Sequence, residues 1–159
     1  FTCINAAFKP LFGYSELTER QKRDYLDMYS MILDIDLISL VLDKEERVVA
    51  CGVAIPSLSE ALQKSGGKMF PLGWWHLLKA LKWKHSKTAD LLLAAVLPEY
   101  QGKGLNAVFI TDLYPNFIKG GFKQVETNVE LESNSKIQSQ WAYFENRQHK
   151  RRRCFTKKI

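Results

Sequence analysis

The spacing of apolar residues changes along the chain between the period of helices and the alternation of strands. In the first third, one helix is broken near Pro10 and a second begins after the capping residue Ser15. Two β-branched runs flank a charged turn and predict a hairpin, in which Gly52 marks a bulge or a close approach of another element. The expected bounds are 1–14 and 15–34 for the helices and 36–43 and 47–55 for the strands.

Residues 56–87 depart from this pattern and are expected to form a helical insertion between two strands of the core. The insertion contains a short helix over 57–64, a glycine break, and a tryptophan-rich amphipathic helix over 73–84. Its aromatic side chains either pack against the sheet, as aromatic residues commonly do, or line a pocket for an acceptor molecule. These aromatic residues are Trp74, Trp75 and Trp83.

The remaining pattern predicts a strand, a helix, a strand, a helix and a closing strand. Pro115 is expected to kink or shorten the first of these helices, Gly120 and Gly121 to end it, and Asn134 to cap the second. The expected bounds are 88–97, 122–132 and 153–159 for the strands and 104–119 for the first helix. This order predicts a single α+β domain over 1–159, built of mixed α/β layers with one strand–helix–strand crossover.

One short stretch of this pattern carries candidate chemistry. An apolar strand ends at Pro98, a basic turn with two glycines follows, and a helix begins directly after it. Backbone N–H groups at a helix N-terminus have no partner within the helix, and the helix dipole favours negative charge beside them. The turn is therefore expected either to bind a pyrophosphate or to be an ordinary solvated turn. Its residues are Gln101, Gly102, Lys103 and Gly104.

Composition excludes several other classes of function. The net charge is +6, but no motif for reading nucleic-acid grooves accompanies the basic tail at 150–153, so nucleic acid is not an expected partner. No apolar run reaches the roughly 20 residues that span a bilayer, and no membrane partner is expected. The three cysteines form no metal or disulfide pattern, and the histidines lack ligand spacing. We therefore expect no metal and a cytoplasmic location.

The glycine turn resembles the phosphate-binding motif of the GNAT superfamily of acyl-CoA-dependent N-acetyltransferases. Gln101, Gly104 and Asn106 occupy the motif positions, and Asn106 replaces the small residue that the family usually has at the last one. Asn134 follows the strand over 122–132 where the family often has an asparagine, and the resemblance covers residues 36–159. It implies a central, mostly antiparallel sheet with a splayed strand pair, helices on both faces, and an enlarged insertion at 56–87.

The resemblance also implies an activity, which is acyl transfer from coenzyme A to a primary amine by direct attack, with acetyl-CoA as the co-substrate. A backbone N–H of Val96 or Leu97 would bind the thioester carbonyl, and the turn would bind the pyrophosphate. The implied cofactor-binding residues are Val96, Leu97, Gln101, Gly102, Lys103, Gly104, Leu105, Asn106 and Asn134.

The catalytic acid and base are open at this point. Glu99 and Glu130 are candidate bases because they lie near the expected cleft, although surface glutamates are commonly solvated. The family often places a tyrosine acid seven residues after the capping asparagine, where this chain has Trp141, so Tyr143 is the remaining candidate. The alternative to an enzyme is a non-catalytic GNAT-fold module that binds CoA or a protein partner.

The expected acceptor is a small-molecule or peptide amine. The chain is expected to be part of a longer protein, in which a second similar domain, or a second copy in a homodimer, completes the acceptor site.

Overall fold

The computed structural model describes residues 1–30, 32–83 and 86–157, and it divides into two compact units, Phe1–Asn128 and Val129–Ile159. The helices of the first unit are α1 Thr2–Phe8, α2 Glu19–Tyr29, α3 Ser59–Lys64, α4 Gly73–Lys82 and α5 Leu105–Lys119. Its strands are β1 Ile38–Leu42, β2 Val48–Pro56, β3 Thr88–Val96 and β4 Gln124–Thr127. The second unit contains α6 Ser135–Gln140 and a 3₁₀ turn at Trp141–Tyr143.

The four strands form one sheet in the order β1-β2-β3-β4. β2 is antiparallel to both of its neighbours, β1 and β3. β4 runs parallel to β3, and α5 is the crossover that connects these two strands. The predicted hairpin, helical insertion and strand–helix–strand crossover are thereby confirmed. The fold class is the predicted one, an α+β arrangement with a mostly antiparallel sheet.

Helices cover both faces of the sheet because neighbouring residues of a strand point to opposite sides. On one face, Cys3 and Ala7 of α1 pack against Cys51 and Ala95. On the other face, two large side chains of α5 pack against Ala50 and its neighbours. These side chains are Phe109 and Leu113, both almost fully buried.

The predicted close approach at Gly52 is confirmed. A Cβ atom at this position would lie 2.7 Å from Cδ2 of Phe109, so α5 can pack this closely on β2 only because the residue is glycine.

The core beneath α1 also brings two cysteines together as free thiols. Cys3 and Cys51 are both buried and belong to one cluster. Burial raises the pKa of Cys51 to about 11, with the neighbouring Cys3 adding to the effect. Both groups are therefore protonated at neutral pH and pack as small apolar side chains.

The prediction that Ser15 caps the second helix is wrong. The cap is Thr18, which accepts a hydrogen bond from Gln21 N–H at 3.3 Å while the Gln21 side chain accepts one from Thr18 N–H at 3.0 Å. This reciprocal pair satisfies two backbone donors and fixes the start of α2. The helix also ends at Tyr29, short of the expected bound of 34.

Of the prediction that Pro115 kinks or shortens its helix, the shortening is wrong, since α5 continues to Lys119 and ends at the cap Gly120, whereas the kink stays a prediction. The proline ring removes the N–H that would donate to the carbonyl of Thr111. Both residues are exposed, so solvent can hydrate that carbonyl and the helix continues past the proline.

The predicted strands near the C-terminus are overlong. The strand expected over 122–132 is only β4, Gln124–Thr127, because its pairing with β3 stops at Thr127. The prediction of a closing strand over 153–159 is wrong for its described part, because residues 153–157 form no strand. Positions 158 and 159 lie outside the described residues. Position 84, at the expected end of the tryptophan helix, is also outside them.

Candidate active site

A bulge in β3 begins the candidate site. The antiparallel register pairs Val53 with Leu93 and Ala54 with Leu91, so Leu92 is an extra residue in β3. Such a bulge bends its strand and changes the local twist. The bend coincides with the end of the parallel ladder, whose last pair is Leu91 with Thr127.

Beyond this pair, β3 and β4 of the first unit no longer pair, and the gap between their ends beside the second half of β3 is called here the opening. Among the described residues, no strand pairs with 92–96 on this side. Asn128, directly after β4, donates through Nδ2 to the carbonyl of Leu92 at 3.5 Å and closes the narrow end. The expected splayed strand pair is therefore β3 and β4.

The alternation of the ladder decides which backbone donor faces the opening. The N–H of Leu97 donates to the carbonyl of Val49 at 2.9 Å, so Leu97 points its amide toward β2. Because successive residues of an antiparallel pair alternate, the amide of Val96 points the other way, into the opening. The predicted donor role for Leu97 therefore fails, since its N–H is already bonded within the sheet, whereas Val96 keeps a suitable direction.

The turn after β3 has the backbone conformation that its glycines allow. A 3₁₀ turn, Pro98–Tyr100, leads into Gly102 and Gly104, whose φ angles are +77° and +80°. These values lie in the left-handed region that favours glycine. None of the described atoms lies within 4 Å of the Cβ position of either glycine, so the space above the turn is open.

Three backbone donors face this turn without a partner in the protein. Among the residues that the structure describes, the N–H groups of Gly102, Gly104 and Leu105 have no hydrogen-bond acceptor. The neighbouring N–H of Lys103 makes a long bond of 3.4 Å to the carbonyl of Tyr100. Grouped donors at the start of the 15-residue helix α5 are an arrangement that can bind an anion. Asn106 lies half-buried in the first turn of α5.

Side chains brace the turn against the rest of the first unit. Gln101 donates through Nε2 to the carbonyl of Val96 at 3.3 Å, and Lys103 Nζ lies 4.9 Å from the centre of the Tyr100 ring. The Tyr100 hydroxyl donates to Oδ2 of Asp43 at 3.3 Å in the β1–β2 turn. These contacts keep the charge of Lys103 beside the open amides.

Asp43 is the anchor of this brace. Its side chain is mostly buried, and its Oδ1 accepts hydrogen bonds from the backbone N–H groups of Glu45 and Arg47. Its Oδ2 forms an ion pair with Nη2 of Arg47 at 2.7 Å. Burial acts to raise the pKa of Asp43, but the bonds from Arg47 and Glu45 together outweigh it and hold the pKa below its ordinary value. The carboxylate is therefore charged at neutral pH.

A pair of carboxylates that the sequence analysis missed lies at the narrow end of the opening. Asp90 of β3 is the register partner of Glu126 of β4, so both side chains leave the same face of the sheet. Together with Ser59 and Asn128 they line a cleft of about 160 Å³. The available signal was Asp90 itself, an acid within an otherwise apolar strand, but its partner lies 36 residues away and only the parallel pairing identifies it.

The other predicted catalytic residues are placed differently. Glu99 is exposed on the 3₁₀ turn after β3, within the first unit. Glu130, Asn134 and Tyr143 belong to the second unit, which is described by itself.

Within that unit, Asn134 caps α6 as predicted and accepts from the N–H of Ile137 at 3.4 Å. Trp141 donates through Nε1 to Oε1 of Glu130 at 2.8 Å, and Tyr143 is 89% exposed. The carboxylate of Glu130 is therefore bonded to Trp141, at the position where the resemblance implies a tyrosine.

The tryptophans of the insertion do not pack into the core. Trp74, Trp75 and Trp83 are between 43% and 65% exposed, so the expectation that they pack against the sheet is wrong. They also lie outside the lining of the acidic cleft.

Metal-binding clusters and membrane-spanning helices are both absent from the described residues. These residues contain no group of three or more His, Cys, Asp or Glu side chains placed to hold a metal ion. No helix among them has the length and apolar character needed to cross a membrane. The cytoplasmic location stays a prediction.

No protein-family model matches the chain. Protein YghO of Escherichia coli K12 is 26% identical over 160 residues, covering 98% of this chain and 41% of YghO. A bacterial ceramide synthase of Caulobacter vibrioides is 30% identical over 99 residues, covering 62% of this chain and 25% of that protein. The chain thus spans less than half the length of these curated relatives.

Solved structures are similar over nearly the whole chain. Glucosamine-6-phosphate N-acetyltransferase from Arabidopsis thaliana gives a TM-score of 0.55 at 14% identity, covering 94% of this chain and 87% of that one. Aminoglycoside N-acetyltransferase AAC(6')-Iy, in complex with CoA, gives a TM-score of 0.52 at 14% identity, covering 88% of this chain and 90% of that one. The chain therefore has the fold of the GNAT acetyltransferases, as the resemblance implied.

Proposed function

We propose that this chain is an acyl-CoA-dependent N-acyltransferase domain that moves an acyl group to a primary amine by direct attack. The observation that carries the proposal is one continuous arrangement in the first unit. A strand pair opens at a bulge, an inward backbone amide follows at Val96, and a turn with three unbonded amides comes next. In an acyl-CoA the thioester is at one end of a long, thin pantetheine arm and the diphosphate is at the other end, so the molecule matches an opening that leads to an anion site.

Each part of this arrangement has a task in the reaction. The amides of Gly102, Gly104 and Leu105 bind the diphosphate, and Lys103 adds positive charge beside them. The amide of Val96 donates to the thioester carbonyl, whose oxygen gains charge as the amine nitrogen attacks the carbonyl carbon. A preorganised donor of this kind lowers the barrier by about 2.7–4 kcal/mol in enzymes where it has been removed.

Proton transfer is assigned to the acidic cleft. An alkylamine acceptor has a pKa near 10.4 and arrives protonated, so a base must take a proton before or during attack. Asp90 and Glu126 line one cleft at the narrow end of the opening and are the proposed bases. The nitrogen loses its second proton after attack, and the two carboxylates of the cleft are proposed to accept one proton each. As the C–S bond breaks, the thiolate takes a proton, for which Tyr143 stays the predicted donor, and solvent returns a proton to the tyrosine while the carboxylates release theirs. Glu99 and Glu130 stay predictions as alternative bases.

The chemical class of the two substrates is drawn from the relatives. The solved neighbours are named for acetyl transfer to small amines, one an aminoglycoside and one an amino sugar phosphate. The curated relative is named a ceramide synthase, and a ceramide is the amide of a long-chain amino alcohol and a fatty acid. We therefore extend the proposal from acetyl-CoA to longer acyl-CoA donors and to amphiphilic as well as small primary amines.

The second candidate function is a non-catalytic module that binds CoA or a protein partner. It is favoured by one observation, the bond between Trp141 and Glu130. An indole N–H has no acidic proton to give a thiolate, and this bond occupies the carboxylate as well. The two candidates share the CoA site and differ in turnover.

Calorimetric titration with acetyl-CoA, a long-chain acyl-CoA and free CoA tests the shared step. We expect saturable binding of all three, because the contacts proposed for the diphosphate are common to them. Absence of binding would overturn the enzyme and the module that binds CoA, and would leave only the module that binds a protein partner. Release of free thiol in the presence of small and long-chain amines then separates them, since only the enzyme consumes thioester in proportion to added amine.

A further inference from the structure

The helical insertion presents an aromatic and basic surface that the proposed acyl transfer does not use. Six residues of it, called here the Trp–Lys face, are exposed side chains of α4 and of the segments on either side of it. They are Phe70, Trp74, Trp75, Lys79, Lys82 and Trp83. Phe70 is 77% exposed and Trp83 is 65% exposed, which is unusual for side chains of this size.

The helix is amphipathic, and its aromatic side is the outer one. At 100° per residue, Trp75, Lys79 and Lys82 fall within an arc of about 60°. The half-buried residues of α4 occupy most of the rest of its circumference, and the helix packs on α3; they are His76, Leu77, Leu78, Ala80 and Leu81. Trp75, Lys79 and Lys82 therefore lie on the arc of α4 whose side chains are exposed.

The tryptophans form one continuous strip. The ring centres of Trp74 and Trp75 are 5.8 Å apart, and those of Trp75 and Trp83 are 5.6 Å apart. Trp74 also donates through Nε1 to the carbonyl of Pro71 at 3.0 Å, which holds its ring against the preceding loop. The strip is thus an ordered apolar surface with the lysine side chains of the same face beside it.

The insertion carries a net positive charge. Residues 56–87 contain six lysines and a single acidic residue, Glu60, which lies 3.8 Å from Lys64. A surface that combines tryptophans with lysines fits the headgroup region of an anionic bilayer, where indole rings occupy the interface and ammonium groups meet lipid phosphates. A second copy of the same face fits poorly, because a twofold contact would bring lysines against lysines.

We propose that the Trp–Lys face is a docking surface for an anionic phospholipid bilayer, on which the protein lies without crossing it. The sequence predicts no membrane partner because none of its apolar runs is long enough to span a bilayer. Peripheral docking requires a different feature, an exposed amphipathic helix, which becomes visible only when the outer side of α4 is known.

Flotation with vesicles tests the proposal without any turnover. We expect binding to vesicles of phosphatidylcholine mixed with phosphatidylglycerol, little binding to pure phosphatidylcholine, and loss of binding in high salt. The double variant Lys79→Gln/Lys82→Gln should bind about 25-fold more weakly, at about fivefold per lysine. Its matched control, Lys44→Gln/Lys136→Gln, removes the same charge from exposed positions outside the insertion and should stay within about twofold.

The aromatic part is tested by insertion depth. Bromine-labelled lipids should quench the tryptophan fluorescence of the native chain, and Trp74→Phe/Trp75→Phe/Trp83→Phe should remove most of that quenching. Phe12→Ala, which truncates a 91% exposed aromatic residue outside the face, is the control. Thermal unfolding checks that each variant is folded.

Three results of the vesicle experiments would each overturn the proposal. These are no binding to the anionic vesicles, equal loss in the face and control variants, or binding without quenching. Preferential binding of RNA through the same lysines, or a dimer closed by this face at the concentrations used, would assign the surface to another partner and also overturn it. Because vesicle binding requires no acyl-CoA, its failure leaves the proposed acyl transfer standing.

Discussion

The glycine turn and the acidic cleft lie at the two ends of the same opening and are built from different parts of the chain. The turn offers main-chain N–H groups from a few consecutive residues, Gly102 to Leu105, fixed by positive φ angles. The cleft offers two side-chain carboxylates, Asp90 and Glu126, which become neighbours only through the parallel pairing of β3 and β4. One site depends on local conformation and the other on tertiary structure.

This difference assigns them separate tasks. Backbone donors stay neutral and do not titrate, so the turn binds a permanent anion equally well over a wide pH range. Carboxylates exchange protons, so the cleft is suited to a step in which a proton moves. Substitutions at the turn should therefore change affinity for CoA, whereas substitutions at the cleft should change turnover.

The largest expected effect comes from Gly104→Glu. The new side chain would enter the open space above the turn and place a negative charge where the diphosphate binds, at a position whose φ of +80° is strained for any residue with a Cβ. We expect the dissociation constant for CoA to rise by at least about 100-fold, equivalent to roughly 2.7 kcal/mol. Calorimetric titration measures it.

Gly13→Glu is the matched control for this variant. Gly13 has a φ of +77° and equally open surroundings, but it lies outside the turn. Both variants should lose a similar stability of about 1–2 kcal/mol from the left-handed conformation. Only Gly104→Glu should lose CoA, and equal affinities in the two would place the diphosphate somewhere else.

Asp90→Asn and Glu126→Gln are expected to have the next largest effect, on turnover alone. Removing a general base typically slows a reaction by about 10²–10⁴-fold. The dissociation constant for CoA should change little, because neither carboxylate takes part in the turn. Thiol release at saturating acyl-CoA, with a primary amine as acceptor, measures the loss for each variant.

Glu99→Gln gives the comparison that decides between the structural and the sequence-based assignment. Glu99 is exposed and adjoins the turn, so its replacement should leave turnover within about threefold if the cleft supplies the base. A large loss in Glu99→Gln with normal rates in the two cleft variants would reverse the assignment.

The same difference explains what could be predicted from the sequence. Gly102 and Gly104 could be assigned to a turn before a helix because the strand, the glycines and the helix are consecutive in the sequence. The hairpin of residues 36–55 could be predicted for the same reason, since its two strands and their turn are also consecutive. Asp90 and Glu126 could not be paired, since register between strands 36 residues apart leaves no local signal.

Competition between local signals explains the remaining errors. Ser15 and Thr18 are both good capping residues, and only Thr18 has Gln21 three positions later to complete a capping box. The expected strand over 122–132 had the correct alternation, but a strand persists only while a partner accompanies it, and β3 diverges after Leu91. The spacing of the aromatic residues of α4 predicts a helix but does not distinguish a side that packs on the sheet from a side that is exposed, so the packing of the tryptophans could not be predicted from it.

Lys103→Gln should have a smaller effect at the turn. Its ammonium group is exposed and is held near the amides by the Tyr100 ring, so it contributes a screened contact to the diphosphate. An exposed charge pair contributes up to about 1 kcal/mol, which corresponds to about a fivefold weaker affinity for CoA. The loss should fade in high salt, whereas the effect of Gly104→Glu on the backbone site should persist. Titrations at two salt concentrations distinguish the charge from the backbone contribution.

The smallest expected effect concerns the brace behind the turn and appears in acid. The pKa of Asp43 is lower in the folded chain than its ordinary value of 3.8, so below that value the unfolded state binds more protons. Stability from this carboxylate is therefore present above pH 3.8 and is lost as the pH falls through the lower folded pKa. Asp43→Asn should flatten that part of the curve of unfolding free energy against pH, measured by urea denaturation. Tyr100→Phe keeps the carboxylate and its bonds to Arg47, and should keep the slope while loosening the turn. An unchanged slope in Asp43→Asn would show that another carboxyl group, away from both ends of the opening, carries the acid sensitivity.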